Sequence, residues 1–442
     1  MISKRQGARR IGGQGVAAVC LALLMMLPWG TIYAHGEIAQ MAGIRMQSVH
    51  WFDTEIYPRN VAVNETVTVK GKFVVSNHWP SWLPSVEGWA FLNIGVPGPT
   101  FIREDVVING MHQIRSTAFK FGEYYEYEVT LKARVPGRWH VHPLINVWEA
   151  GPIVGPAHWV EVTGSKGDFV HEATLLTGEV IDVENYGLDT QWTLHIFWMV
   201  VGVLWLWYWF RKPPVLMRRY VTLEEKGEDE GESKLITLTD VAVSIFAVLF
   251  VLGAALGWTI YANSKYPVTI PLQTGKIEAP VLPPPPEALA VKASVQRAEF
   301  NLPRRSLALK LEVTNGADRP IRVGEFLAGG ARFVNPDVLK VERVDFYDSV
   351  APDGVISNDP PLQPGETRVM TIVVEDALWE ELRLSAIVYE ADLQFAGMLF
   401  FYDDLGNRYF TEVGGTLIPQ FLPSRGEGGR ADLEAQDSET VS

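Results

Sequence analysis

A chain of 442 residues is long enough for two or three domains, and with 47% apolar residues it can fill real cores, which excludes wholesale disorder. Its 52 acidic against 38 basic residues leave a formal charge of −14 without a basic block, so no nucleic-acid partner is expected. The single cysteine, Cys20, excludes a disulfide framework and a cysteine-rich metal centre.

In chain order, Lys4, Arg5, Arg9 and Arg10 precede an apolar run from Val16 to Trp29, and Ala34 stands before His35. A basic start, a short apolar stretch and a small residue at the cut read as a signal peptide over 1–34, cleaved after Ala34. Residues 35–185 read as an exported all-β domain. Tyr125, Tyr127, Val129, Leu131, Ala133 and Val135 alternate with Glu126, Glu128, Thr130, Lys132 and Arg134, the period of a half-buried strand. Pro136-Gly137 turns the chain into a second strand that carries Trp139 to His142. Val67 and Val69 alternate with polar neighbours in another, and short strands with Gly/Pro punctuation predict a sandwich.

Two apolar runs follow, Trp192 to Phe210 and Val241 to Ala262. Each is long enough to span a bilayer as a helix, and they are assigned to 190–212 and 238–263. Arg211, Lys212, Arg218 and Arg219 place the loop 213–236 in the cytoplasm, so both large flanking regions lie outside. A Pro-rich linker spans 264–287, with Pro280 and Pro283 to Pro286 in extended form. Residues 288–422 read as a second exported sandwich, since Leu307, Leu309, Leu311 and Val313 alternate with polar residues before an Asn315-Gly316 turn. The Gly- and Glu-rich tail 423–442 reads as disordered.

All nine histidines fall at or before position 195, so the second exported region has neither imidazole nor thiol for a metal. His140 and His142 share one face of a predicted strand, a half-site for copper or zinc; two histidines at this spacing are otherwise ordinary surface residues. Cleavage after Ala34 makes His35 the first residue, offering an α-amine and a ring nitrogen to one ion. An amine with three imidazoles is a nitrogen-rich set that favours Cu(II). Glu37 is placed as a carboxylate that orients a ligand. His50, before Trp51, reads as a second ligand or a surface ring, and His78 sits in a loop at Asn77-His78-Trp79-Pro80. His112, His158 and His171 have no partner by spacing, and His195 sits near the outer end of the first span.

The chain resembles the B subunits of the copper membrane monooxygenases, the particulate methane and ammonia monooxygenases. The resemblance rests on Ala34-His35-Gly36-Glu37, Val49-His50-Trp51-Phe52-Asp53, Val69-Lys70-Gly71-Lys72-Phe73 and Phe91-Leu92-Asn93-Ile94-Gly95. It continues through Leu131 to Pro143, Ala150 to Pro156, Gly324-Glu325-Phe326 and Asp376 to Glu380. It implies a mainly β protein of two cupredoxin-like β-sandwiches joined by a transmembrane helical hairpin. It maps a copper site, of one or two ions, to His35, His140 and His142. The second copper position of some members uses a histidine matching His50, whose partner is Val74 here, with His78 nearby as a substitute. The implied assembly joins the A and C subunits as a trimer of heterotrimers in the inner or intracytoplasmic membrane, both large domains being periplasmic. The implied reaction is hydroxylation of methane, ammonia or a short alkane with O2 and two electrons. Which residues are catalytic is not assigned. The alternatives are a non-catalytic scaffold with structural copper, or an exported, membrane-anchored copper chaperone.

Overall fold

The computed structural model describes residues 40–175, 178–211, 224, 237–265, 275–343 and 349–421. The signal peptide with Cys20, His35 and Glu37, nearly all of the loop 213–236, part of the linker and the tail lie outside the described residues.

The chain enters through a short helix, α1 (Ala42–Gln47), and then builds eleven strands. These are β1 (Val49–Tyr57), β2 (Asn60–Ala62), β3 (Thr66–Val75), β4 (Ala90–Gly95), β5 (Phe101–Ile108), β6 (Met111–His112), β7 (Ser116–Ala118), β8 (Tyr124–Ala133), β9 (Gly137–Val147), β10 (Gly151–Val154) and β11 (His158–Thr163). One sheet has the order β1-β3-β8-β5-β6; the other holds β7-β4-β9-β11-β2, with β10 on β9. The alternation read from Tyr125 onward appears on β8 as buried Tyr125, Tyr127, Val129, Leu131 and Ala133. The strand ends at Ala133. Beyond it the N–H groups of Arg134 and Val135 both turn to the carbonyl of Thr100 as the chain approaches Pro136, whose ring disfavours some conformations of the residue before it. Trp51, Phe73, Phe119, Tyr125 and Tyr127 pack the core between the sheets at centroid separations of 5.1–6.0 Å.

A hairpin of β12 (Glu172–Thr174) and β13 (Val180–Asp182) leads into helix α2 (Leu188–Phe210), and the second long helix is α3 (Leu238–Lys265). Both are long and apolar enough to cross a membrane, and the rest of the described chain buries neither. At roughly 1.5 Å per residue each exceeds a hydrocarbon core of about 30 Å. They run antiparallel, tied at one end by Tyr208 donating to Asp240 (2.8 Å) and at the other by Lys265 donating to Thr190 (3.0 Å). The entry to α2 is fixed by Arg134, whose Nε and Nη2 donate to Glu184 at 3.0 and 2.6 Å while Nη1 donates to the carbonyl of Pro99. Because the pair is half-buried and bidentate, Arg134→Ala is expected to cost about 1–2 kcal/mol, read as a lower Tm of the detergent-solubilised chain. An unchanged Tm would make the contact incidental.

After α3 the chain returns to the first sandwich. β14 (Lys276–Glu278) adds in parallel to β7, and Pro280 accepts a hydrogen bond from Asn109. The Pro-rich stretch then crosses over and closes with a one-turn helix, α4 (Pro286–Leu289), where proline at the first turn costs no hydrogen bond.

The second sandwich comprises β15 (Val291–Asn301), β16 (Ser306–Asn315), β17 (Ile321–Ala328), β18 (Ala331–Val334), β19 (Val350–Ala351), β20 (Val355–Ile356) and β21 (Thr367–Glu375). It continues with the short helix α5 (Leu378–Glu381), a 3-10 segment (Leu384–Tyr389), β22 (Gln394–Asp403), β23 (Arg408–Thr416) and β24 (Ile418–Gln420). Its sheets run β20-β21-β16-β15-β24 and β19-β18-β17-β22-β23. Trp379 is fully buried at the centre, stacked on Phe333 and edge-on to Phe300, with its indole N–H satisfied by Val374.

The sandwiches meet through Phe52, Val74 and Tyr124 of the first and Leu327, Met398, Phe400 and Phe410 of the second, a small apolar core of its own. Asp53 sits at a bulge in β1 with φ 53° and reaches Arg408 by two hydrogen bonds, one of 2.8 Å. Burial alone would raise the Asp53 carboxyl, but the Arg408 guanidinium outweighs it and the net effect is a lowered pKa.

Candidate metal centre

The turn at Pro136-Gly137 starts β9, and on this strand His140 and His142 point the same way. Their ring centroids are 5.9 Å apart and tilted by 46°. Two imidazoles bound to one ion through nitrogen–metal bonds of about 2 Å have centroids no more than about 6.5 Å apart, so this spacing fits a shared ion.

His140 lies opposite Trp159 of β11, ring to ring at 4.9 Å, and the Arg138 guanidinium lies over that indole at 4.7 Å. His140 also lines a cleft of about 480 Å3 between the sandwiches, together with Trp51, Phe52, Glu325, Arg332 and Arg408. His142 lies opposite Gly95 of β4. Its Nδ1 is buried and finds no hydrogen-bond partner among the described residues. Burial, and secondarily the neighbouring His140, push the His142 pKa down to about 4. The ring is therefore neutral at physiological pH, the state in which imidazole ligates a metal. A buried polar nitrogen left without a partner is costly in a finished protein, and a metal ion is one group that would satisfy it.

Gly95 is what allows the ring to lie there. A Cβ at position 95 would stand 2.5 Å from Cε1 and 2.6 Å from Nε2 of His142. Gly95→Ala is expected to push the imidazole off β4 and cost about 1–3 kcal/mol as an overpacked site, read by thermal denaturation. Wild-type stability in that variant would mean that the ring has room to move.

No third His, Cys, Asp or Glu among the described residues completes a metal-sized cluster with these two, and His35 and Glu37 lie outside them. The described chain does approach the pair. Gln40 is docked on β10: its Oε1 accepts from Val154 N at 3.1 Å and its Nε2 donates to the carbonyl of Pro152. Val154 faces Leu144 of β9, two residues from His142.

The structure sets His50 and His78 of the first sandwich against β23 of the second. His50 is fully buried, and its Nε2 lies 3.1 Å from Oε1 of Glu412 on β23. Glu412 also accepts from Ser76 Oγ (2.5 Å), Asn77 N (3.1 Å) and Asn77 Nδ2 (2.9 Å). Burial would raise the Glu412 carboxyl, but the contacts from His50, Ser76 and Asn77 hold it at about 2. The His78 ring packs over Gly414 of the same strand. Val74 is the residue directly opposite His50 across β1 and β3. His112 pairs with Asp105 at 2.9 Å, His158 contacts Arg59, and His195 bonds its own helix at Gln191. Sequence reading missed Glu412, because nothing local marks a carboxylate 362 residues away as the partner of His50.

Two β-sandwiches, a strand-borne pair of histidines suited to a metal and two membrane-length helices define a membrane-attached β protein. Residues 36–421 match the family model of the monooxygenase B-subunit proteins, and the chain belongs to that family. It is 41% identical over 393 residues to the "Particulate methane monooxygenase alpha subunit" of Methylococcus capsulatus (strain Bath), covering 88% of this chain and 92% of that protein. The chain is thus one component of a monooxygenase complex. Among solved structures, the cupredoxin domain of amoB from Nitrosocaldus yellowstonii is 16% identical with a TM-score of 0.21, covering 27% of this chain and 91% of that one. A protein of unknown function from Porphyromonas gingivalis is 9% identical over 81% of this chain and 98% of its own, with a TM-score of 0.16. Scores at this level establish no structural correspondence.

Proposed function

We propose that this protein binds copper with the α-amine and imidazole of His35 and the imidazoles of His140 and His142, in a membrane monooxygenase that hydroxylates a small substrate such as methane, ammonia or a short alkane. The observation that carries this reading is the buried Nδ1 of His142, without a hydrogen-bond partner among the described residues, beside His140 in a chain of the monooxygenase B-subunit family. The five steps from His35 to Gln40 span at most about 18 Å when extended, and Gln40 is held on β10, where Val154 faces Leu144, two residues from His142. Copper at such a site supplies one-electron redox cycling, which zinc does not. The chain's own residues hold the His142 ring neutral, keep it dry and fix its direction over Gly95.

Both sandwiches are assigned to the periplasmic side, because the basic residues from Arg211 to Arg219 belong to the connection between the helices. The uncovered apolar sides of α2 and α3 fit lipid and the helices of the A and C subunits, in the family's trimer of heterotrimers. The test is copper content and Cu(II) EPR of the whole chain in its membrane, compared with the His140→Ala plus His142→Ala variant. A nitrogen-rich signal lost in the variant supports the site. Copper retained by the variant overturns it and leaves a scaffold for metal held elsewhere in the complex.

A further inference from the structure

Helix α1 joins the two halves of the chain. The side chains of Ala42 and Met46 are built into the core of the second sandwich, while Ile44 packs on the core of the first. The Arg45 guanidinium donates to the carbonyls of Leu382 (2.5 Å) and Gly329 (2.6 Å). Residues 390–394, which lead from the 3-10 segment into β22, lie against the same helix. Gly43 N donates to Oε1 of Glu390 at 2.8 Å, and Gln47 Nε2 donates to the carbonyl of Gln394 at 2.7 Å.

These contacts leave three acceptors over. Oε2 of Glu390, Oδ1 of Asp392 and Oε1 of Gln47 are buried and have no hydrogen-bond partner among the described residues. Gln47 is only 1% exposed, so water does not serve its amide oxygen from outside. Its amide is held against Gln394, two residues from Asp392 and four from Glu390. A Cβ at position 43 would stand 2.1 Å from Oε2 of Glu390 and 3.2 Å from Nε2 of Gln47, so both side-chain ends converge on the space that this glycine leaves open. Burial pushes the Glu390 carboxyl up, against the Gly43 N–H that favours its charged form, and the charge of Asp392 pushes it further the same way. Among the described residues no cationic side chain offsets this. Buried acceptors without a donor are costly, and a cluster that includes two carboxylates calls for a positive group.

We propose that Glu390, Asp392 and Gln47 form a Ca2+ site that clamps α1 to the second sandwich, with Oε2 of Glu390, Oδ1 of Asp392 and Oε1 of Gln47 as ligands. Oε1 of Glu390 stays on Gly43 N, so one carboxylate bridges the helix and the ion. Carboxylate and amide oxygens are ligands of hard cations, whereas copper and zinc favour the nitrogen and sulfur that this cluster lacks. Ca2+ accepts irregular oxygen sets and completes its shell with backbone carbonyls and water, while Mg2+ demands a near-ideal octahedron. The site is separate from the histidine pair and does not rest on the copper reading.

The experiment uses the full chain solubilised in detergent at constant copper content. It measures Tm against Ca2+ concentration, and Tb3+ luminescence excited through the aromatic residues, Tb3+ standing in for Ca2+. Ca2+ is expected to raise Tm with a midpoint on the order of 0.1–1 mM, the range of extracellular Ca2+ modules. Asp392→Asn and Glu390→Gln keep the shape of each side chain and remove its charge. Each is expected to raise that midpoint at least about ten-fold and to weaken the Tb3+ emission. If Glu390→Gln does not accumulate, Asp392→Asn carries the test, because it leaves the contact with Gly43 N intact. A wild-type Tm that does not respond to Ca2+ overturns the site and leaves the two carboxyl groups to share a proton. A Ca2+ response equal in wild type and both variants places the ion elsewhere and overturns it as well.

Discussion

Replacing His140 and His142 together by alanine is expected to lower copper retention by more than about 100-fold, because loss of groups that only orient a metal ligand already costs 10–100-fold. The metal-free protein should respond differently. Among the described residues the buried His142 Nδ1 has no partner, and the metal-free state carries that desolvation cost. Alanine removes the orphaned nitrogen along with the ring, which offsets part of the packing lost. The variant is therefore expected to unfold close to the wild-type Tm without copper and well below it with copper. An ion at 100 times its Kd adds about 2.7 kcal/mol to whichever protein binds it. Thermal denaturation of both proteins, with and without Cu(II), checks this. A copper-dependent rise in Tm that persists in the variant would place the binding elsewhere.

The second large effect is expected at Glu412. Its carboxylate gathers His50, Ser76 and Asn77 of the first sandwich onto β23 of the second. Glu412→Ala leaves a buried imidazole nitrogen, a hydroxyl and a backbone N–H without their acceptor, so a loss of about 3–5 kcal/mol is expected, with Glu412→Gln losing less. The pH dependence has a definite sign. The folded-state pKa is about 2 against the ordinary carboxylate value of 4.5, so the stabilisation is fully present above about pH 4.5 and disappears as pH falls toward 2. Wild type should lose Tm across that window relative to Glu412→Gln, in which no carboxylate titrates. Parallel acid-unfolding curves for the two would show that the hub contributes nothing.

Elements whose stabilisation is local were legible in the amino-acid order. The alternation of β8 and the two apolar runs each announce themselves within a dozen or two residues, because a strand face or a membrane span must be apolar at its own period. The His140-x-His142 spacing implied two rings on one face for the same reason, and their 5.9 Å separation follows from the pleat. What spacing does not carry is the long-range partner. Gly95 under His142, Glu412 against His50 and the carbonyls of Gly329 and Leu382 around Arg45 lie 47 to 362 residues away, and only the folded topology brings them together. The Pro-rich stretch showed the same limit: its composition indicates an extended connector, and its upstream end is also a strand of the first sandwich, because β7 offers an unpaired edge there.

The chain exchanges segments between its halves, and this sets an order on its synthesis. β14 completes the first sandwich only after both long helices have been made. Helix α1 docks on β22, and Gln47 precedes Gln394 by 347 positions. At about 5–20 residues per second the ribosome takes on the order of 20–70 s to supply that surface. Through this interval Met46 and Ala42 are apolar side chains without a core, on a segment already outside the ribosome. The two sandwiches therefore cannot finish folding before β22 has been made, and a chain that stops before β22 leaves α1 undocked.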